Sequence, residues 1–302
     1  MITNYSSDTF YGHLIKGDLT SAMAYPSQFP EQADSYRQYE SLFCSENYLE
    51  YDLDPFLNAI LKAYQRYFRE VFYLQADSIL AENHLLLDLK NLFNIYDPNT
   101  DLAWIEDKYV HSAFHRQGLH FLGGRTSGFY GPYIWQTTES HTYAVELPQG
   151  IQHFTVNFLD GFIVNSWLDY LSFGAVSTGG WTDPDGIINC VRSSYDLQDE
   201  RFSVSLLKHE AQHAADLKQY PGITSADLEY RAKLVELIYT QNRNLLQQFV
   251  HEADDRAQSN GHSIAASRII SEMGDQNSVA QIQLTAKYLF EISTKEMISK
   301  YL

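Results

Sequence analysis

Residues 206–217 read Leu-Leu-Lys-His-Glu-Ala-Gln-His-Ala-Ala-Asp-Leu, with two histidines four residues apart. The stretch predicts an α-helix, because it contains no Pro or Gly and its Leu and Ala residues can pack against a core. This helix is predicted over 202–219 and ends before Tyr220-Pro221-Gly222, where Pro and Gly terminate a helix. Residues four apart lie one turn above each other on a helix. His209 and His213 can therefore bind one metal ion.

Glu210 lies between the two histidines and completes the pattern His-Glu-x-x-His. Zinc bound to such a pair of imidazoles lowers the pKa of a bound water to about 7, so that a nearby carboxylate can take its proton. We therefore predict a site for one Zn²⁺ ion, with Glu210 as the catalytic base. The same pattern also arises by chance, so the rest of the site has to support it.

A third ligand is needed, because catalytic zinc sites usually have three protein ligands and one open position. The metzincin extension of the motif places a Gly and a His shortly after the second histidine. Asp216 and Gln219 occupy those two positions here, which excludes this arrangement.

The next helix, predicted over 225–250, offers the third ligand. Thr224 and Asp227 fit a capping box, which fixes the start of the helix and gives Asp227 a structural role. If the turn makes the two helices antiparallel and about 8–10 Å apart, the carboxylate of Glu229 reaches the level of the two imidazoles. Glu236 lies two turns further along the same face and is the poorer candidate.

The combination of His-Glu-Ala-Gln-His at 209–213 with Glu-Tyr-Arg-Ala at 229–232 resembles the gluzincin metallopeptidases. It is most similar to the Glu-x-x-Ala-Asp ligand helix of the membrane prenyl-protein proteases and their relatives. The resemblance covers residues 206–237. It implies a zincin-like fold and hydrolysis of a peptide or protein substrate, with His209, His213 and Glu229 as zinc ligands.

Lys233 departs from the family pattern, in which an Asp at this position supports a ligand. We expect Asp216 to take over this role, because ligating imidazoles commonly donate their second nitrogen to a carboxylate or a carbonyl. The reaction also needs a donor for the developing oxyanion. His262, in Asn260-Gly261-His262-Ser263, and Tyr230 are the candidates by residue type.

Two further sequence features are candidates for parts of the site. The Gly-rich segment 177–181 either lets the backbone of a substrate approach an open strand edge or forms an ordinary turn. His111 and His115 are also four residues apart on a predicted helix, but no acidic residue lies between them as Glu210 does. We interpret them as a structural pair.

The order of patterns along the chain predicts an α+β protein. We expect an N-terminal helical region over 1–100 and a zincin-like catalytic domain over 101–302, with an antiparallel or mixed sheet before the motif. Apolar periodicity predicts two helices, or one long kinked helix, over 54–95 and a helix over 103–117. A sheet follows over 118–192, with a hairpin over 142–158 and a strand over 187–191. Helices are predicted over 202–219, 225–250, 262–273 and 277–300.

The acidic composition limits the class of partner. Asp and Glu total 38 against 21 Lys and Arg, and the formal net charge of -17 repels phosphate backbones and anionic lipid surfaces. The longest apolar stretch, 161–176, contains Asn, Asp and Ser and is shorter than the roughly 18 apolar residues of a spanning helix. We therefore expect neither a nucleic acid nor a membrane as a partner.

The N-terminal sequence has neither the basic start nor the apolar run of a secretory signal, which predicts a cytoplasmic protein. Cys44 and Cys190 have no Cys-x-x-Cys spacing, so neither a disulfide framework nor a thiolate metal site is expected. Two alternatives to a zinc peptidase stay open: a non-catalytic zinc-binding or regulatory protein on a zincin scaffold, and a metal-free interaction protein in which the motif is coincidental.

Overall fold

A computed structural model describes residues 5–253, 261–274, 276 and 278–302. Asn260 and the predicted start of the last helix at 277 lie outside these residues, as do the first four residues of the N-terminus. The chain begins with α1 Ser7–Ile15, α2 Leu19–Ala24, α3 Ala33–Tyr39, α4 Pro55–Phe68, α5 Ser78–Phe93, α6 Leu102–Ile105 and α7 His111–His115.

Helices α4 and α5 show that the first of the two alternatives for 54–95, two separate helices, is the one that forms. Both begin at an aspartate: Asp54 accepts from the backbone N–H of Phe56 at 2.8 Å, and Asp77 accepts from Leu80 at 3.1 Å. These caps satisfy N–H groups that have no partner inside a helix.

The strands follow, with one short helix among them. They are β1 His120–Leu122, β2 Arg125–Thr126, β3 Phe129–Tyr130, β4 Tyr133–Trp135, β5 Thr137–Leu147, β6 Gly150–Asp160, β7 Val164–Asn165, β8 Gly180–Thr182 and β9 Ile188–Val191, with α8 Ser166–Leu171 after β7. Strands β5 and β6 confirm the hairpin predicted over 142–158. Strand β9 confirms the strand predicted over 187–191.

The single sheet predicted over 118–192 is wrong. The strands form three sheets, with the orders β1-β4-β7, β2-β3 and β5-β6-β9-β8. Strands β1 to β4 are only two or three residues long. β2 pairs with β3, and β4 pairs with both β1 and β7. The four-stranded sheet is mixed, because β6 pairs with β9 in parallel and β8 pairs with β9 antiparallel.

Five helices follow among the described residues after 206: α9 Leu207–Gln219, α10 Ser225–Tyr239, α11 Asn244–Glu252, α12 Gly261–Met273 and α13 Val279–Tyr301. The continuous helix predicted over 225–250 is wrong, because the chain leaves helical geometry at Thr240. Glu200 stabilises this break by accepting from the backbone N–H of Gln241, and Asn242 then accepts from the N–H of Asn244. The fold is α+β, as predicted.

The described residues form two compact units. The first contains the described residues up to Thr137 together with Gly161–Thr178. Its core is rich in aromatic side chains and includes Leu102 and Ile105 beside the residues of α4 and α5. The predicted boundary at residue 100 therefore does not separate the units: the hydroxyl of Tyr64 donates to the Glu106 carboxylate at 2.6 Å.

The second unit contains Thr138–Asp160 and the described residues from Gly179 to Leu302. Alternate residues of β6 are buried, and Phe154, Val156 and Phe158 pack into a core with residues of α9 and α10 such as Ala211 and Leu234. This unit carries the whole His-Glu-x-x-His motif and the predicted ligand helix. Within the described part of the chain, no helix combines the length and the apolar character that a bilayer-spanning segment needs.

Candidate metal centre

Helix α9 presents the motif on its buried face. It follows a π-helical segment at Arg201–Leu206 and packs against the core through small residues such as Ala211 and Ala214. His209 and His213 are 7% and 8% exposed, and their ring centroids are 4.5 Å apart. The motif therefore brings its two imidazoles together out of solvent.

Helix α10 brings Glu229 to this pair. The hydroxyl of Thr224 accepts from the N–H of Asp227 at 3.2 Å, which confirms the N-cap half of the predicted capping box. The reciprocal half is wrong, because the N–H of Thr224 donates to the hydroxyl of Tyr301 and not to Asp227. Glu229 Oε2 lies 3.4 Å from Nε2 of His209, and Oε1 lies 3.7 Å from Nε2 of His213. One ligand atom from each of these three residues lies within 4.8 Å of the others.

The three residues fit a metal ion by chemistry as well as by position. Two imidazole nitrogens and one carboxylate are a ligand set that zinc takes in catalytic sites. Nε2 of His213 is buried and has no hydrogen-bond partner among the described residues. A buried polar atom without a partner is unfavourable, and a bound cation would satisfy it. The cluster can therefore hold a cation through His209, His213 and Glu229.

The second ring nitrogen of His209 contacts Glu236, the poorer of the two candidate ligands on α10. Nδ1 of His209 lies 2.7 Å from Oε1 of Glu236, and Glu236 is 5% exposed. Glu229 and Glu236 are seven residues apart on α10, so they share one face of that helix. The expectation that Asp216 supports a ligating histidine is therefore wrong for His209.

Asp216 instead belongs to a buried ion pair. Its Oδ2 accepts from Nε of Arg231 at 2.8 Å, and the two residues are 1% and 2% exposed. The guanidinium of Arg231 also lies over the ring of Phe290, 4.3 Å from its centroid. These contacts connect α9, α10 and α13, which gives Asp216 a structural role.

Glu210 is held by a residue of the edge strand β8. The hydroxyl of Thr182 lies 2.8 Å from Oε2 of Glu210 and 2.9 Å from its carbonyl oxygen, so its proton is available to either. Nδ1 of His213 lies 3.4 Å from the same Oε2. No sequence motif points to Thr182, because its contact with Glu210 depends on the pairing of β8 with β9.

The charges of the site are strongly coupled in the metal-free protein. Burial opposes a charge on His209, but contacts with Glu229 and Glu236 outweigh it and raise the pKa of His209 to about 10. Burial also opposes ionisation of Glu210, yet the neighbouring His213, His209 and Thr182 lower the pKa of its carboxyl. The pKa of Glu229 is lowered against burial by His209 and His262. Both carboxylates therefore stay ionised beside a protonated imidazole.

The two candidates for the oxyanion donor lie in different surroundings. Nδ1 of His262, in the first turn of α12, is 2.9 Å from Oε2 of Glu229, and the side chain is 55% exposed. Tyr230 is buried, its hydroxyl donates to Glu272, and Arg268 lies over its ring. Burial raises the pKa of Tyr230. The structure therefore places His262 at the cluster and Tyr230 in a separate network.

The Gly-rich segment 177–181 and the pair His111 and His115 have structural explanations. A β-carbon at Gly180 would lie 2.6 Å from the carbonyl oxygen of Asn189, so close strand packing requires glycine there. Strand β8 is an edge strand of the four-stranded sheet. His111 and His115 are exposed and stack on each other with ring centroids 6.0 Å apart.

Comparisons with known proteins add no relative to this picture. No protein-family model matches the chain, and neither the curated proteins nor the solved structures contain a match to it.

Proposed function

We propose that the second unit is a zinc-dependent peptidase of the gluzincin type on a zincin-like fold. His209, His213 and Glu229 would hold one Zn²⁺ ion, and Glu210 would act as the catalytic base. The observation that carries the proposal is the convergence of one ligand atom from each of these three residues within 4.8 Å.

The surroundings of the cluster support the same proposal. Glu210, Glu229 and Glu236 are all buried, and burying several carboxylates is unfavourable unless cations compensate them. The two side-chain cations of α10 are used elsewhere, since Arg231 pairs with Asp216 and Lys233 pairs with Glu252. The ammonium of Lys208 donates to the carbonyl oxygen of Glu146. A divalent cation beside the two imidazoles would balance this charge.

The reaction proposed is hydrolysis of a peptide bond in a peptide or protein substrate. Bound zinc would supply a Lewis acid that polarises the carbonyl group and makes water more acidic. Glu210 takes a proton from the attacking water and returns it to the leaving amine. The hydroxyl of Thr182 orients the Glu210 carboxylate for both transfers, and Glu236 fixes the ring of His209.

One observation favours a non-catalytic zinc-binding protein as the second candidate. Oε2 of Glu210 already has two neighbours, the hydroxyl of Thr182 at 2.8 Å and Nδ1 of His213 at 3.4 Å. If both contacts persist with metal bound, Oε2 is occupied and only Oε1 of the same carboxylate is left to accept a proton from water. If Oε1 does not reach that water, zinc would serve structure or regulation.

Metal content and hydrolysis measured on the same preparations distinguish the candidates. Purified protein is analysed for zinc by mass spectrometry and assayed on a library of quenched fluorescent peptides. We expect zinc close to one ion per chain, and cleavage that the Glu210→Gln variant reduces about 10²- to 10⁴-fold while it keeps the metal. The His213→Ala variant should lose both the bound zinc and the cleavage.

The matched control is His111→Ala with His115→Ala, because this exposed pair has the same spacing and lies in the first unit. It should leave zinc content and hydrolysis unchanged. Zinc in wild type and in Glu210→Gln with no hydrolysis by either would support the non-catalytic candidate. A wild-type protein that binds no zinc when reconstituted would contradict both.

A further inference from the structure

Glu229 has a neighbour outside the predicted ligand set. Nδ1 of His262 lies 2.9 Å from Oε2 of Glu229, while Nε2 of His209 lies 3.4 Å from the same oxygen. Neither contact has the alignment of a hydrogen bond, so the close approach of His262 is an ion-pair contact. His262 is not among the three residues whose ligand atoms lie together. It therefore contacts the carboxylate from the side of α12 and does not belong to the cluster that would bind the ion.

A glycine explains why His262 reaches this position. Gly261 is buried at the start of α12, against the first turn of α10. A β-carbon on Gly261 would overlap Oγ of Ser225 and would lie 3.1 Å from the carbonyl carbon of the same residue. Only glycine allows this approach without a shift of one helix. The approach places the next residue, His262, beside Glu229.

An ion pair between Lys233 and Glu252 lies near the same nitrogen of His262. Oε1 of Glu252, at the end of α11, lies 3.7 Å from Nδ1 of His262. Oε2 of Glu252 accepts from Nζ of Lys233 at 2.7 Å. Lys233 is 4% exposed, and its ammonium lies over the ring of Phe249, 4.4 Å from the centroid. The position at which the sequence departs from the gluzincin pattern therefore anchors α11.

We infer that His262 is a positioning residue for the third ligand, because the contact of its Nδ1 with Oε2 fixes the orientation of the Glu229 carboxylate. The inference rests on the proposed function, since it concerns how the zinc ligand is held. Carboxylate ligands are generally held by such outer contacts, and losing one typically costs 10- to 100-fold in metal affinity. The residue acts through Glu229 and not on substrate.

Metal affinity tests this role without any assay of hydrolysis. Zinc affinity is measured by competition with a chromophoric chelator, and the Co²⁺-substituted protein gives an absorption spectrum that reports ligand geometry. We expect His262→Ala to weaken zinc binding about 10- to 100-fold and to change the Co²⁺ spectrum. His262→Asn, which keeps an N–H group near the position of Nδ1, should recover most of the affinity and the spectrum.

Two further variants make the test specific. Gly261→Ala keeps His262 but displaces it, and should weaken zinc binding in the same direction. His251→Ala removes an exposed histidine one residue before Glu252 and should leave zinc binding unchanged.

Equal zinc affinity and an unchanged Co²⁺ spectrum in His262→Ala, with zinc bound by wild type, would overturn this inference alone. Failure of wild type to bind zinc would overturn the proposed function together with it. Circular dichroism checks that each variant is folded, which is expected for His262→Ala because that side chain is half exposed.

Discussion

Oε1 of Glu236 lies 2.7 Å from Nδ1 of His209, on the opposite side of the ring from Glu229. A carboxylate at this nitrogen stabilises the tautomer that carries its proton on Nδ1, which leaves the lone pair of Nε2 for a metal. One face of α10 therefore provides both a candidate ligand and the group that orients another.

Removing the Glu236 carboxylate should weaken zinc binding without removing a ligand. We expect about a 10- to 100-fold loss of affinity in Glu236→Ala and a smaller loss in Glu236→Gln, whose amide oxygen can still accept from Nδ1. Chelator competition measures both. Glu291→Ala, an exposed change on α13, is the control. Equal affinity in wild type and Glu236→Ala would show that the contact does not serve the metal.

Removing the Asp216 carboxylate should lower the free energy of unfolding and leave zinc affinity unchanged. Its partner Arg231 is almost fully buried, and removing one member of such a pair leaves an uncompensated charge. We expect Asp216→Asn to lower the free energy of unfolding of the metal-free second unit by about 3–5 kcal/mol. Urea unfolding in the presence of a chelator measures this change. Zinc affinity of the folded variant should match wild type; a selective loss of affinity would restore the role first expected for Asp216.

The contrast between Glu236 and Asp216 indicates how far the sequence could predict the site. His209, His213 and Glu229 depend only on helical spacing and on a short turn between neighbouring helices, so local rules bring them together. Whether Glu236 reaches Nδ1 of His209 depends on the offset between α9 and α10. A shift of one helical turn would move Glu236 about 5.4 Å along α9 and away from His209, and no local pattern fixes that offset.

The other differences between prediction and structure have both local and non-local origins. Tyr230 directly follows Glu229, and successive residues of a helix point about 100° apart, so the two side chains cannot share a direction. Thr182 reaches Glu210 only through the pairing of β8 with β9, which is a non-local contact. The α+β class could be predicted from periodicity. The three separate sheets could not, because strands of two or three residues carry almost no periodic signal.

The hydroxyl of Thr182 should matter for turnover and not for metal binding. Thr182→Val removes the donor to Glu210 and keeps the shape of the side chain. A hydrogen bond to a charged group contributes about 1.5–3 kcal/mol, so we expect kcat to fall about 10- to 100-fold with zinc content unchanged. Thr182→Ser restores the hydroxyl and should recover kcat. Higher activity in Thr182→Val would mean that this hydroxyl restrains Glu210.

Zinc binding should release a proton from His209, because zinc and the proton compete for the same imidazole. Without metal, contacts with Glu229 and Glu236 outweigh burial and raise the pKa of His209 from 6.5 to about 10. Near neutral pH the metal-free ring therefore carries a proton that must leave when Nε2 becomes a ligand. Below the raised pKa, apparent zinc affinity should increase about tenfold per unit of pH as that proton becomes easier to remove, and it should level off above it. Calorimetry in buffers of different ionisation enthalpy counts the protons released, and we expect close to one from this ring. A count near zero, with affinity independent of pH, would mean that His209 is neutral before zinc binds.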